Sequence, residues 1–403
     1  MTLLRGLSLV AAVSLLTASP VAAQRTIFNP ALSLYIFYSD DVEFGPEQVS
    51  DTYYRLEVEL PVRREFARGA FEFSFAPFLV RYDQSEVFDH DGHRTRATLE
   101  FEPSELSALE LSGRLQRTQD RGSARDLEDP EAFLTSRLSR DLEAASFEYR
   151  RRTTGPWSWD VAGLFASTSF EAVGEAADGD PEAPEGREDL SVEVGGYRAL
   201  SERTNVGLRY GRRRYDLEVS GAETLDLVSL FLERQLNRRW ELELLAGGYN
   251  RSGRPAEDVD LTTSGPQGTV TLIRTYRRAA LTAMAGNLLT SGGELPSTAE
   301  LRTVEVLLRD AGLRPGGWHL AARYIHRVPS ASNLPTTDLT TLSGAVEWAF
   351  HRLIGLRFDG FYADQRGEAQ FEGSYYRVGA AIVFHPLGRT RLGGAGGEAT
   401  GDE

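Results

Sequence analysis

Repeated alternation of apolar and polar side chains is the feature that most limits how this chain can fold. The pattern is clearest over 54–62 and 205–210, where every second residue is apolar and most residues between are charged or polar. A two-residue period places the two sets on opposite faces of a β-strand, whereas a helix needs a period near 3.6 residues. The chain is therefore predicted to be all-β.

The alternating segments recur along the whole chain after residue 29. They predict 18 strands, and 16 is also compatible because the phase of alternation is ambiguous over 142–151, 224–235 and 266–276. The predicted strands are 30–39, 51–63, 69–82, 92–102, 107–118, 142–151, 157–169, 189–199, 204–215, 224–235, 240–250, 266–276, 279–289, 298–309, 317–327, 338–350, 353–364 and 374–385.

The connections between these strands tend to alternate between short and long. Short ones include 103–106 and 237–239, and long ones include 118–141 and 171–188. Short turns at one end and long loops at the other are typical of an antiparallel up-and-down β-barrel that spans a membrane. A soluble β-sandwich or propeller would also alternate, but its strands are usually shorter.

Tryptophan and charge are both distributed unevenly between the two ends. The short turns are rich in Arg, whereas the long segment 171–189 is strongly acidic. Indole suits a membrane interface because its body is apolar and its N–H is polar. All five Trp lie near short connections, and we predict that they form a membrane-interface belt: Trp157, Trp159, Trp240, Trp318 and Trp348.

The polar face of a membrane barrel must line its lumen, because a charged side chain facing hydrocarbon is unfavourable by about 2–4 kcal/mol for Arg at the membrane centre. These charges either stiffen the wall as ion pairs or contact a hydrophilic solute. The predicted lumen residues are Arg55, Glu57, Glu59, Arg94, Arg96, Glu100, Glu110, Arg114, Glu148, Arg150, Glu193, Arg209, Arg213, Glu241, Glu243, Arg323, Arg357, Asp359 and Arg377.

The first 23 residues have the pattern of a secretory signal peptide. Arg5 precedes an apolar stretch over 7–16, and Val21-Ala22-Ala23 resembles a cleavage site. We therefore predict three regions: signal peptide 1–23, outer-membrane barrel 24–386 and a disordered, Gly-rich acidic tail 387–403. No run of roughly 20 apolar residues follows the signal peptide, which excludes a polytopic helical membrane protein.

Sequence signals for catalysis, metal binding or nucleic-acid binding are weak. The net charge of −15 disfavours nucleic acid, and the chain contains no cysteine. The segment Asp89–His93 resembles a metal motif but falls in a predicted surface loop, where Asp-Gly is an ordinary turn signal. We predict no enzyme activity, no catalytic residues, no metal and no cofactor.

The chain resembles outer-membrane β-barrel proteins associated with bacterial exopolysaccharide export. The resemblance covers nearly the whole mature chain and begins with the first strand, Asn29–Leu34, which ends in Tyr38–Val42. It implies a porin-like conduit in a Gram-negative cell envelope, with outer-membrane lipid, a hydrophilic solute or polysaccharide, the barrel-insertion machinery and a periplasmic export component as partners. Lumen tyrosines such as Tyr197, Tyr249 and Tyr375 would stack on sugars.

An alternative function remains open. The barrel could be closed and structural, anchoring surface polymer or a partner protein through its acidic extracellular loops. An open pore that is blocked by sugars would distinguish the channel from the anchor.

Overall fold

The structure is a computed structural model, and it describes residues 25–42, 49–119, 138–172, 186–217, 221–253, 261–290, 299–310, 317–329, 336–351, 353–367 and 373–386. The predicted signal peptide and C-terminal tail lie outside these residues. In the described part of the chain, no helix is long and apolar enough to cross a membrane.

The described residues form 19 strands and one 3-10 turn, η1 (Glu86–Phe88). The strands are β1 (Arg25–Phe28), β2 (Ala31–Ser39), β3 (Asp51–Phe66), β4 (Gly69–Tyr82), β5 (His90–Ser104), β6 (Ser107–Thr118), β7 (Leu138–Arg152), β8 (Trp157–Ala172), β9 (Arg187–Ser201), β10 (Thr204–Leu217), β11 (Gly221–Asn237), β12 (Trp240–Gly253), β13 (Leu261–Thr275), β14 (Ala279–Thr290), β15 (Ala299–Asp310), β16 (Trp318–Pro329), β17 (Thr337–Ala349), β18 (Ile354–Gly367) and β19 (Gly373–Phe384).

Each strand from β2 to β19 pairs antiparallel with the next, and β19 pairs back with β2 to close a barrel. The short β1 and the longer β2 both pair with β3, with Asn29 and Pro30 between them. They therefore share one position, so that the 19 described strands make 18 positions in the ring. The fold is a closed antiparallel β-barrel of 18 strands, as the sequence predicted.

The two faces of the wall differ in exposure and in chemistry. Along β2, buried and exposed residues alternate without a break, and the exposed ones are the apolar Leu32, Leu34, Ile36 and Tyr38. Directly paired residues on neighbouring strands project from the same face of a sheet. Following the register from β2 around the ring therefore assigns each residue to an apolar outer face or to a more polar inner face.

Several strands begin earlier than predicted. β13 starts at Leu261, five residues before the predicted start at residue 266. Pro266 is tolerated because it lies in the part of β13 that pairs with β12 and beyond the part that pairs with β14. Only one neighbouring strand must accommodate a residue that has no N–H to donate.

The predicted surface loop around Asp89–His93 is also shorter than expected, because β5 begins at His90. Asp89 lies just before the strand, where its carboxylate accepts a hydrogen bond from the Tyr82 N–H at 2.8 Å. His90 is buried on the inner face, whereas Asp91 and His93 project from the outer face. Strand alternation thus separates the side chains of this motif instead of gathering them around one ion.

Candidate functional site

The inner face of the barrel contains the charged residues that the alternation singled out. Their role in contacting a solute stays a prediction. The register places the following residues on this face: Arg55, Glu57, Glu59, Arg94, Arg96, Glu100, Glu110, Arg114, Glu148, Arg150, Glu193, Arg209, Arg213, Glu241, Glu243, Arg323, Arg357, Asp359 and Arg377.

A buried charge network lies on the inner face of β3, β4 and β5. Glu57 forms an ion pair with Arg55 at 3.0 Å and accepts a hydrogen bond from Arg94 at 2.6 Å, and its side chain is 4% exposed. The Arg55 guanidinium also stacks over the Phe78 ring, 4.1 Å from its centroid. Two cations beside one carboxylate provide the countercharge that a buried carboxylate needs, and the cation–π contact further stabilises Arg55.

Further ion pairs occur at intervals around the ring. Arg357 binds Asp359 at 2.8 Å on β18, and Arg323 of β16 binds Glu305 of β15 at 2.8 Å. Arg209 donates to the Tyr197 hydroxyl at 2.7 Å and also lies 3.7 Å from a Glu193 carboxylate oxygen. These pairs join neighbouring strands or neighbouring positions of one strand, which fits the wall-stiffening role left open by the sequence.

Several charged residues of the inner face were not predicted from the sequence. Glu223 and Arg251 form a buried two-bond ion pair, yet they lie just outside the predicted strands 224–235 and 240–250. Glu305 and Arg309 lie within the predicted strand 298–309, and the alternation there could have identified them.

Aromatic side chains fill part of the inner face near the long-loop end. The ring centroids of Phe37 and Tyr53 lie 5.0 Å apart, and those of Tyr53 and Tyr82 lie 4.9 Å apart. The ring of Phe88, in η1, lies 6.1 Å from that of Tyr82 between centroids. All four side chains are buried. Tyr375 is buried as well, so its ring is not available for the sugar stacking that the sequence suggested. The Tyr249 ring is partly exposed and remains available.

Two cavities open on the inner face. The larger, about 780 Å³, is lined by residues of β3–β6 and β15–β18, among them Arg94, Arg96 and Arg114. The smaller, about 430 Å³, is lined by residues of β9–β16. Both are lined by Glu305 and Arg323, so this ion pair stands where the two cavities adjoin.

The five Trp project from the outer face near the short-turn end of the barrel. Trp157, Trp159, Trp318 and Trp348 are exposed, and Trp240 is partly covered by Arg274, whose guanidinium lies 4.9 Å from its ring. The antiparallel ring brings the first residues of β8, β12 and β16 and the last residues of β17 to the same end. Their function as a membrane-interface belt stays a prediction.

The outer face between the two ends is apolar. Leu190, Val192 and Val194 of β9 and Leu208 of β10 are each about half exposed on it. A closed ring leaves no strand edge unpaired, which is the condition for a sheet to span hydrocarbon. The protein is a transmembrane β-barrel of the bacterial outer membrane.

His319 and His326 lie on opposite faces of β16. His319 faces the lumen, whereas His326 faces outward and contacts Asp338 at 2.8 Å. Among the described residues, no group of three or more His, Cys, Asp or Glu side chains is arranged to hold a metal ion.

No protein-family model and no curated protein matches the chain. Several solved structures resemble it. OpdK of Pseudomonas aeruginosa, solved with vanillate, is 13% identical, and the match covers 89% of this chain and 98% of OpdK with a TM-score of 0.47. OccK2 (OpdF) of the same organism, in complex with glucuronate, is 11% identical over 90% of this chain and 98% of OccK2, with a TM-score of 0.47.

The siderophore receptor PirA from Pseudomonas aeruginosa is 9% identical, with 89% of this chain and 81% of PirA covered and a TM-score of 0.40. The chain's own strand pairing and its two faces define the barrel.

Proposed function

We propose that the protein is a porin-like channel for hydrophilic solutes and that it conducts a secreted polysaccharide. The observation that carries the proposal is the pair of cavities inside the closed ring, both lined by charged side chains. A barrel of this size is wide enough to hold an aqueous channel. Arginine and carboxylate side chains would exchange hydrogen bonds with sugar hydroxyls, and Tyr249 would stack on sugar rings.

The link to polysaccharide export is supported by the resemblance of the strands to export-associated barrels. Under this proposal, a periplasmic export component delivers the polymer to the short-turn end, and the barrel-insertion machinery places the chain in the membrane. The signal peptide over 1–23 would direct the chain across the inner membrane.

Single-channel conductance in a planar bilayer tests the proposal. The refolded mature chain should give stable current steps, and oligosaccharides should reduce the current in a concentration-dependent way. Protein that shifts in gel mobility on boiling, and is therefore folded, but gives no current would contradict the channel function.

The alternative is a closed structural barrel that anchors surface polymer or a partner protein through its acidic loops. The buried aromatic side chains near the long-loop end favour it, because they occupy space inside the barrel. They are Phe37, Tyr53, Tyr82 and Phe88. This alternative would be supported if folded protein gave no current in the bilayer and if cells that express the protein retained polymer on their surface.

A further inference from the structure

Charges on the inner face of β5, β6 and β7 lie in rows of one sign. Glu100, Glu110 and Glu148 stand directly opposite one another across the three strands. Four residues farther along β5 and β6, toward the long-loop end, Arg96 stands opposite Arg114. We call this surface the β5–β7 wall. Its two charged rows are about 13 Å apart, since a strand rises about 3.3 Å per residue.

A row of hydroxyl groups separates the two charged rows. Thr98, Ser112 and Ser146 are paired partners midway between them, and the Ser112 and Ser146 hydroxyls lie 2.7 Å apart. The wall thus presents carboxylates, hydroxyls and guanidinium groups in succession along the barrel.

Most charges of this wall have no counterion among the described residues. In the described part of the chain, Arg96, Glu100 and Glu110 make no ion pair, and Arg114 bonds only the neutral Gln116 amide oxygen. Glu148 pairs with Arg150 at 2.7 Å. Like charges directly opposite each other on neighbouring strands destabilise a sheet. A ligand that brings both missing countercharges would relieve this repulsion.

The guanidinium row is accessible from the lumen. Arg96 and Arg114 are exposed, and both line the cavity of about 780 Å³. Arg309, another exposed arginine without an ion-pair partner among the described residues, lines the same cavity from β15. An anionic group entering this cavity would meet unneutralised guanidinium groups, which bind carboxylate and phosphate oxygens through paired hydrogen bonds.

We propose that the β5–β7 wall is a binding site for a linear, hydroxyl-bearing zwitterion whose two charges lie about 13 Å apart, a spacing set by the rise per strand residue. Arg96 and Arg114 bind its anionic end, the hydroxyl row binds its middle, and the carboxylates bind its cationic end. An amino acid is too short to reach both rows, whereas an extended peptide of about four residues spans them at about 3.4 Å per residue. The inference rests on the proposed channel function and goes beyond the polysaccharide conduit, because it names a second class of solute.

Equilibrium binding of tetraserine tests the site without requiring conduction. Ligand-observed NMR of the refolded full chain in micelles should show that tetraserine binds more tightly than its N-acetylated or its C-amidated form. Each cap removes one charge, and the loss of a solvent-accessible ion pair of about 1 kcal/mol weakens binding about fivefold.

Two variants test which charged row binds which end of the ligand. Arg96→Gln should reduce the preference for the free carboxylate while retaining the preference for the free amine, and Glu110→Gln should do the reverse. Arg302→Gln and Glu300→Gln are matched controls, because these side chains project from the outer face of β15 and pair with each other at 3.4 Å. A gel-mobility shift on boiling verifies that each variant is folded.

Equal binding of tetraserine and both capped forms would overturn the inference, as would equal weakening of all three peptides by Arg96→Gln and Glu110→Gln. Conductance of the same preparations separates this result from the proposed function. Protein that binds tetraserine with the predicted preference but conducts no current would retain the site and contradict the channel, and protein that conducts without the preference would contradict only the site.

Discussion

Replacing Glu223 by Gln should destabilise the barrel more than any removal of an exposed charge. Arg251 donates to Glu223 through two bonds, Nε to Oε2 at 3.0 Å and Nη2 to Oε1 at 2.5 Å. The two side chains are only 5% and 7% exposed. The substitution removes the negative charge and leaves the Arg251 guanidinium buried without its counterion.

Removing one partner of a buried ion pair lowers the free energy of unfolding by about 3–5 kcal/mol. The folding equilibrium constant should therefore fall by roughly two to four powers of ten. Urea titration of the protein in lipid vesicles, followed by Trp fluorescence and by gel mobility, measures this change. The double variant Glu223→Leu with Arg251→Met should recover most of the stability, because it removes both buried charges together.

Asp364→Asn is the matched control. It breaks the Arg366–Asp364 pair, which has a similar distance of 2.8 Å, but the Arg366 side chain is 78% exposed. Exposed pairs contribute about 0–1 kcal/mol. The reasoning is refuted if Glu223→Gln and Asp364→Asn lower the unfolding free energy by the same small amount.

Three further results are expected. Arg323→Ala should raise single-channel conductance, since it removes one of the two side chains that line both cavities. An unchanged conductance would show that the Arg323–Glu305 pair does not restrict the current. Lipids brominated near the headgroup should quench Trp fluorescence more strongly than lipids brominated at the chain ends, because all five Trp lie at one end of the wall. Gly379→Ala should destabilise the barrel by about 1–3 kcal/mol, because its Cβ would collide with the Phe37 ring, whereas Gly360→Ala has open space and should change urea stability little.

Much of the fold could be predicted from the sequence because alternation is a local property. Leu32, Leu34 and Ile36 identify the outer face of β2 without knowledge of any other strand. The short turns and the Trp positions likewise identify the two ends. Strand limits were harder to predict, since Pro266 and the Asp-Gly of Asp91–Gly92 resemble loop signals but lie within strands in the folded barrel.

The contacts between charges could not be predicted in the same way. Glu57 is as charged and as regularly placed as Glu110, yet it binds two arginines, whereas Glu110 faces two other carboxylates. Arg251 was missed because the predicted strand ended one residue before it. Register between neighbouring strands decides each of these cases, and a shift by two residues would keep the faces but exchange all the partners.

The sequence by itself therefore determined the class of fold, the two faces of the wall and the end at which the Trp gather. These follow from the two-residue period of a strand and from the length of the connections. Only the tertiary structure decided which charges neutralise each other, where the cavities lie and that the β5–β7 wall separates its charges into rows. Those properties depend on the register of each strand pair and on closure of the ring between β19 and β2, which bring together residues far apart in the chain.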